Sequence, residues 1–322
     1  MKLLRLLGSI VALSLAASST VPQARADAAP TRIVEGWYAH NAMLIMLGAQ
    51  DHIVATVAKP SILPWMFRLV PQLSRAQSLN ANGLNSEELL KLDPDVVFVP
   101  AGSHDTQSLT QAGLHVVEEG FTRFDSMLDC VDSTATQLQT PLAAKRAQAY
   151  RLAFLQFIAQ AQTSPQGPRV LHVLSLKPLQ VDGDQTIIDQ WIRSAGGRNA
   201  ADGVHGNKQT VTAEQILSWN PDIIILAANG GDPEALKQDK VLAQVAAVKN
   251  GRVYRNPTGL FPWDRYGPEL LLEVSWARQI LQQGSVDEAA MTVQIRKFYH
   301  DFYDISLSAS DALLMLHGQP PQ

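Results

Sequence analysis

The sequence predicts an α/β protein of two similar lobes. Each lobe is built on a parallel sheet, a single long interdomain helix connects them, and a ligand cleft lies between them. Two stretches of one design carry most of that reading: Leu84 to Val99 and Val211 to Leu226 align without a gap. Each opens a short apolar helix on small residues followed by an acid, Asn85-Ser86-Glu87 and Thr212-Ala213-Glu214, which is a helix-start signal. Each helix stops at Asx-Pro-Asp, Asp93-Pro94-Asp95 and Asn220-Pro221-Asp222. Proline lacks the donor a helix needs and pushes its predecessor out of the helical region. The unbroken apolar runs Val96–Val99 and Ile223–Leu226 follow. They read as strands buried on both faces, as in a parallel sheet covered by helices. The spacing of the two copies is too long for a solenoid and implies two halves. The third observation lies between the halves, where strand signals vanish from Asp125 to Gln162. There Tyr150, Ala153, Phe154, Phe157, Ile158 and Ala161 recur with helical spacing on one face.

The elements follow in order. Lys2 and Arg5, the apolar Leu6 to Ala17 and the small-x-small Ala24-Arg25-Ala26 form a secretory signal, with cleavage expected before Asp27. No Cys lies near that site, so an exported chain without a lipid anchor is expected. Strands are expected at Thr31–Val34 and Asp51–Thr56, flanking a helix over Ala42–Leu47. After the first repeat a further strand ends near Val117. The second half starts at Arg169–Leu174 and carries a helix over Thr186–Ala195, closed by Gly196-Gly197. A last strand, Gly251–Tyr254, leads through a long loop to a helix over Glu269–Leu281. The expected division is a cleaved signal over 1–26, an N-terminal α/β lobe over 27–124 and a helical connection over 125–163, which includes the interlobe helix. A C-terminal α/β lobe over 164–284 and C-terminal helices with a tail over 285–322, packed on the outside, complete the chain.

Composition removes several function classes. The charge of −4 becomes more acidic once Lys2, Arg5 and Arg25 are cleaved, which leaves no basic footprint for nucleic acid. Cys130 is the only cysteine, read as a small buried hydrophobe. One cysteine cannot hold a metallocluster. Neither a phosphate-binding Gly-x-x-x-x-Gly-Lys-Ser/Thr loop nor a Gly-x-Ser-x-Gly elbow is present. An enzyme is therefore not expected, nor an intrinsic cofactor.

Ligands of open α/β sheets sit beyond the carboxyl ends of the strands, and two facing sheets make an interdomain cleft. The loops expected there bring together Trp37, Tyr38, His40, Lys59, Trp65, His104, Lys177, Trp263, Arg265 and Tyr266. Aromatic faces with a few fixed cations suit a large, flat or anionic ligand. Each has a blander alternative: Trp263 to Tyr266 as a structural corner in which Asp264 pairs with Arg265, the Trp37 loop as loop packing, His104 as a solvated surface residue. His172, in a buried strand, is expected to be core. Adjacent Ser103-His104-Asp105 is not a triad, whose members converge in space.

Arg32-Ile33-Val34, Leu47 to Val54 and Glu87-x-x-x-x-Leu92-x-Pro94-Asp95-Val96-Val97 together resemble the periplasmic substrate-binding proteins of iron-siderophore, haem and cobalamin ABC importers. The resemblance spans roughly residues 30 to 310. It implies two Rossmann-like lobes with a ligand between them, a bridging helix that limits closure, and docking on the permease through one surface acid per lobe. Those acids map to Glu87 and Glu214, the alternative being ordinary first-turn helix acids. Gly36-Trp37-Tyr38-Ala39-His40-Asn41 departs from the Ser/Pro/Thr-rich first loop of many members, whereas Asp264-Arg265-Tyr266-Gly267-Pro268 resembles the cobalamin-binding loop. The resemblance implies a monomeric periplasmic receptor that passes a ferric chelate, foremost a ferric siderophore, to an inner-membrane ABC permease with its cytoplasmic ATPase. Cobalamin, haem, nickel and a metal oxyanion such as molybdate are the alternatives. Haem or a bare metal would require His40 or His104 as a ligand.

Overall fold

The computed structural model describes residues 29–161 and 166–322. The secretory signal and the Ser164-Pro165 break lie outside the described residues. The first sheet has five strands, all parallel: β1 (Ile33–Glu35), β2 (Ile53–Thr56), β3 (Gln77–Ser78), β4 (Val96–Pro100) and β5 (Val116–Glu119), in the order β3-β2-β1-β4-β5. The second sheet contains β6 (Arg169–Leu176), β7 (Leu179–Val181), β8 (Arg198–Asn199), β9 (Gln209–Thr210), β10 (Ile223–Leu226) and β11 (Val253–Arg255). Its order is β11-β10-β6-β7-β9, with β8 beside the start of β6. It is mixed. β8, β10 and β11 run parallel in the β6 system, but β7 pairs antiparallel with β6 and β9 antiparallel with β7. Strands of three and two residues leave no run for the periodicity to read.

The repeat has a common mechanical basis. The helices Ser86–Lys91 and Ala213–Trp219 are capped by the Asn85 and Thr212 side chains. Both end in a left-handed residue immediately before the proline, Asp93 and Asn220, each at φ 43°. The aspartate after the proline then ties the new strand to the first strand of its own half. Asp95 Oδ2 accepts from the Arg32 amide (3.0 Å), and Asp222 Oδ2 accepts from the Arg169 amide (2.8 Å). The backbone returns the bond in both halves, the Asp95 and Asp222 amides donating to the Arg32 and Arg169 carbonyls. One short motif thus ends a helix and sets a parallel strand register, β1 with β4 and β6 with β10.

Two helices fill the strand-free stretch, Phe124–Leu138 and Pro141–Ile158, broken at Gln139 with φ 52°. The second starts on Pro141 behind a Thr140 cap and buries Ala143, Ala147, Tyr150 and Phe154. Of the face placed by periodicity, Ala153, Phe157 and Ile158 are only partly buried, and Ala161 lies beyond the end of the helix. It touches both halves: Arg146 donates to the Met46 carbonyl (3.3 Å), and the Tyr150 hydroxyl to the Pro268 carbonyl (2.9 Å). The apolar core is continuous across the halves, running from Ile33, Met43 and Phe98 to Trp191, Trp263 and Met315. The C-terminal segment belongs to it. Met291, Ile295, Phe298, Tyr299 and Tyr303 bury one face against it, while Val293 and most of the other positions of the helix Glu288–Phe298 stay exposed. The tail crosses back as well, its Gln319 carbonyl accepting from the Trp65 ring N–H (2.8 Å).

Candidate functional site

Three aromatic rings meet where the two halves face each other. Trp37 follows β1 and Phe121 follows β5, while Tyr266 comes from the loop before the helix Leu270–Gln283. Their centroids stand 5.6 to 6.0 Å apart, at tilted or edge-on angles, the arrangement that the ring quadrupoles favour. Two cavities, of about 450 and 430 Å³, lie elsewhere, against Tyr254 and Trp276 and against Phe157 and Phe298.

Beneath Tyr266 lies a buried ionic cluster. Arg265 Nη2 donates to Asp182 Oδ2 (2.7 Å), and its Nε stands 3.6 Å from Asp264 Oδ2. His172 lies between the same two acids, with Nδ1 and Nε2 each 2.8 Å from an oxygen of Asp182 and Asp264 respectively. The Lys208 amide donates to the other Asp182 oxygen (2.9 Å). Asp182 owes its position to a close approach of two backbone segments: a Cβ on the next residue, Gly183, would stand 1.7 Å from the Val204 carbonyl oxygen. Burial alone would lower the His172 pKa, but the two carboxylates outweigh it and push it up to about 9. Against the desolvation that would raise it, His172 and Arg265 hold Asp182 well below the usual carboxylate range. Arg265 Nη1 is buried and has no hydrogen-bond partner among the described residues. The Tyr266 hydroxyl accepts from the Asn207 side-chain amide.

The N-terminal half has a counterpart. His40 Nδ1 lies 2.5 Å from Glu35 Oε2, and its Nε2 lies 2.8 Å from the Thr134 hydroxyl. That hydroxyl already donates to the Cys130 carbonyl (2.7 Å), so Nε2 carries a proton. The Trp37 amide donates to Glu35 (2.7 Å), and the Trp37 ring stacks over the His40 ring at 6.0 Å. Desolvation raises the Glu35 pKa, with His40 opposing.

The ten residues singled out from sequence separate accordingly. Trp37 and Tyr266 meet at the seam, and Arg265 lies buried beside Tyr266 with its ion pairs inside its own half. Tyr38 and Lys59 are partly exposed beside it in sequence, in the loops that follow β1 and β2. His40 is fully buried with both nitrogens engaged, so it is a support and not an open metal ligand. Trp65 and Trp263 are core residues, 1% and 0% exposed, because their rings complete the shared core. His104 is exposed and paired only with its neighbour Asp105 (3.2 Å), and Lys177 is exposed at the β6–β7 turn. His172 is core in position, as expected, yet ionic in chemistry. Phe121, Asp182 and Asn207 were not anticipated. No cluster of three or more His, Cys, Asp or Glu residues able to hold a metal occurs among the described residues. Glu87 and Glu214 are both exposed in the first turn of the repeated helices.

Two α/β lobes, one on a parallel and one on a mixed sheet, thus share a core and meet at a ring-lined seam. The chain belongs to the periplasmic binding protein family, whose model matches residues 33–258. It is similar to the molybdate-binding protein MolA of Haemophilus influenzae, 25% identical over 298 residues, which cover 83% of this chain and 84% of that protein. The solved structure of H. influenzae MolA bound to molybdate matches with a TM-score of 0.73 at 20% identity, over 86% of this chain and 94% of that one. A periplasmic solute-binding protein of Veillonella parvula matches with a TM-score of 0.73 at 26% identity, over 90% and 92%. The protein is thus a substrate-binding protein of the ABC-importer class, and the family is one of solute receptors. No helix among the described residues is long and apolar enough to cross a membrane.

Proposed function

We propose that this receptor captures a compact tetrahedral oxyanion of the molybdate class in the seam between its lobes and delivers it to an inner-membrane ABC permease. The observation that carries the reading is Arg265. The residue is 8% exposed, its guanidinium is anchored on one side by Asp182, and Nη1 has no partner among the described residues. A buried, oriented N–H is costly unless something accepts from it, and an oxyanion is the matching acceptor. The two acids of the cluster are balanced by Arg265 and His172, so recognition rests on directed N–H groups and not on a surplus of positive charge. Tyr266 and Asn207 offer further polar groups beside it, and Lys59, in the loop after β2 of the opposing half, is a candidate to meet the ligand's charge. Rings packed at 5.6 to 6.0 Å favour a small ligand. A ferric siderophore, foremost on sequence alone, would have to spread them. The likeness to a molybdate-binding relative along most of both chains supports the same choice.

In this reading Glu87 and Glu214 are the permease-docking acids. The test of the ligand is calorimetric titration of the mature protein with molybdate, tungstate, ferric citrate and a ferric hydroxamate. Saturable binding of molybdate or tungstate, lost in Arg265→Ala, is expected. Saturation by a ferric chelate alone would keep the receptor and overturn the oxyanion.

A further inference from the structure

We infer that His172 is a positioning residue for ligand capture: without touching the ligand, it holds the two carboxylates that orient the Arg265 guanidinium. The inference rests on the reading of Arg265 as a ligand contact. His172 sits within β6, 0% exposed, paired in register with Ile225 of β10. Each ring nitrogen lies 2.8 Å from a carboxylate oxygen, on Asp182 and on Asp264. A neutral imidazole carries a proton on one nitrogen only and would turn a lone pair toward the second anion. The Asp182 contact is a hydrogen bond, whereas the Asp264 contact is a close ionic approach in which neither His172 Nε2 nor an Asp264 oxygen has a hydrogen-bond partner among the described residues; a ring held between two carboxylates at this distance favours the doubly protonated form. The oxygen that meets His172 on Asp182, Oδ2, is the one that accepts from Arg265 Nη2, and the Asp264 oxygen near His172 is the one near Arg265 Nε.

Both acids are thus shared between the two cations, and the guanidinium orientation depends on them. Every charged neighbour of His172 enters this balance. Asp182 follows β7, Asp264 and Arg265 lie in the loop before the helix Leu270–Gln283, and Glu273 comes from that helix. Burial raises Glu273 well above its ordinary value, which keeps it out of the charge count. The remaining face of His172 meets the Trp191 ring edge-on at 6.1 Å. Two cations therefore face two anions. Once His172 loses its proton, Arg265 alone faces both carboxylates. The guanidinium is then drawn toward Asp264, and the direction of its unpartnered Nη1 changes. The consequence is a ligand affinity with an alkaline limit set by His172.

The experiment is a tungstate titration by calorimetry from about pH 6 to about pH 10 on the parent, His172→Gln and Arg265→Ala. The Arg265 Nε–Hε resonance, assigned by its absence from Arg265→Ala, is recorded in the ligand-free state of the parent and of His172→Gln. Parent affinity should hold to about pH 8 and then fall with the loss of the His172 proton. His172→Gln should bind roughly tenfold or more weakly near neutrality, without the alkaline step and with the Arg265 resonance broadened by exchange. A folded His172→Gln protein with parental affinity, pH profile and Arg265 resonance would overturn the positioning role. If Arg265→Ala binds tungstate like the parent, the ligand reading falls, while the ligand-free resonance still decides whether His172 holds Arg265. Should His172→Gln not fold, nitrogen-15 histidine spectra of the parent decide: a doubly protonated ring near neutrality supports the role, and a neutral one refutes it.

Discussion

Glu273 offers the sharpest test of the charge arrangement, because it lies beneath the ionic cluster with no charge of its own to lend. It is fully buried, and neither carboxyl oxygen has a hydrogen-bond partner among the described residues. Desolvation, then the nearby Asp264, raises its pKa well above 4.5. The sign follows directly. Above 4.5 the unfolded chain loses this proton while the folded chain keeps it, so stability falls as pH rises through that window. Each pH unit costs about 1.4 kcal/mol until the folded acid itself ionises. Glu273→Gln keeps the shape and removes the titration. It should be as stable as the parent below pH 4 and gain about 1.4 kcal/mol per pH unit above 4.5. A new amide bond to Asp264 would add a constant, which the slope separates from the linkage. Urea unfolding midpoints of both proteins across acidic and neutral pH give the measurement. A Gln variant that is less stable at neutral pH, or whose advantage does not change with pH, would refute a neutral Glu273 and with it the charge count around His172.

Other perturbations probe different levels of the structure. His172 is raised to about 9 in the folded chain from 6.5, so its contribution is complete below pH 6.5 and disappears as pH rises through about 9. Thermal unfolding should show an alkaline loss on the order of 3 kcal/mol, absent from His172→Gln. Asp95→Ala and Asp222→Ala each remove the same strand-tying bond, and denaturant titration should find similar losses of about 1–3 kcal/mol; a loss in only one would deny the motif its common role. Removing the Tyr150 hydroxyl, which joins the connecting helix to the Pro268 carbonyl, should cost about 1 kcal/mol by the same assay. Glu87→Ala combined with Glu214→Ala should leave ligand affinity unchanged and stop uptake into permease-containing proteoliposomes; undiminished uptake would remove both acids from docking.

Legibility tracked the range of the interactions involved. The two halves were readable because their signals are local: Asn85 and Thr212 cap within three residues, Asp93 and Asn220 precede a proline, and Val96–Val99 and Ile223–Leu226 are unbroken apolar runs. The mixed second sheet was not readable, since β7 and β9 are too short for any period. Trp65 and Trp263 were misplaced for a related reason. Both lie in loop-like, proline-rich stretches, and only the tertiary fold shows that the shared core extends beneath those loops. Arg265, Tyr266 and Trp37 were found as cations and rings in strand-end loops. Asp182 was not, because its bond to Arg265 spans 83 residues. One signal was available: an ionisable His172 inside an apolar strand has to be paired with something.

The two buried histidines then take on a common meaning. His40 lies under Trp37 and is held by Glu35, while His172 lies beside Arg265 and is held by Asp182 and Asp264. In each half, the residue at the seam or buried beside it is fixed by an acid–histidine pair of that half, not by its partner across the seam. Such an arrangement leaves the recognition geometry intact when the lobes shift relative to one another, because no polar bond of either pair crosses the gap. The rings do cross it, through Trp37, Phe121 and Tyr266, and their contact is non-directional and easily remade. Opening the seam for a ligand would therefore break ring contacts and spare the charge networks, which are the expensive parts to rebuild in a dry interior.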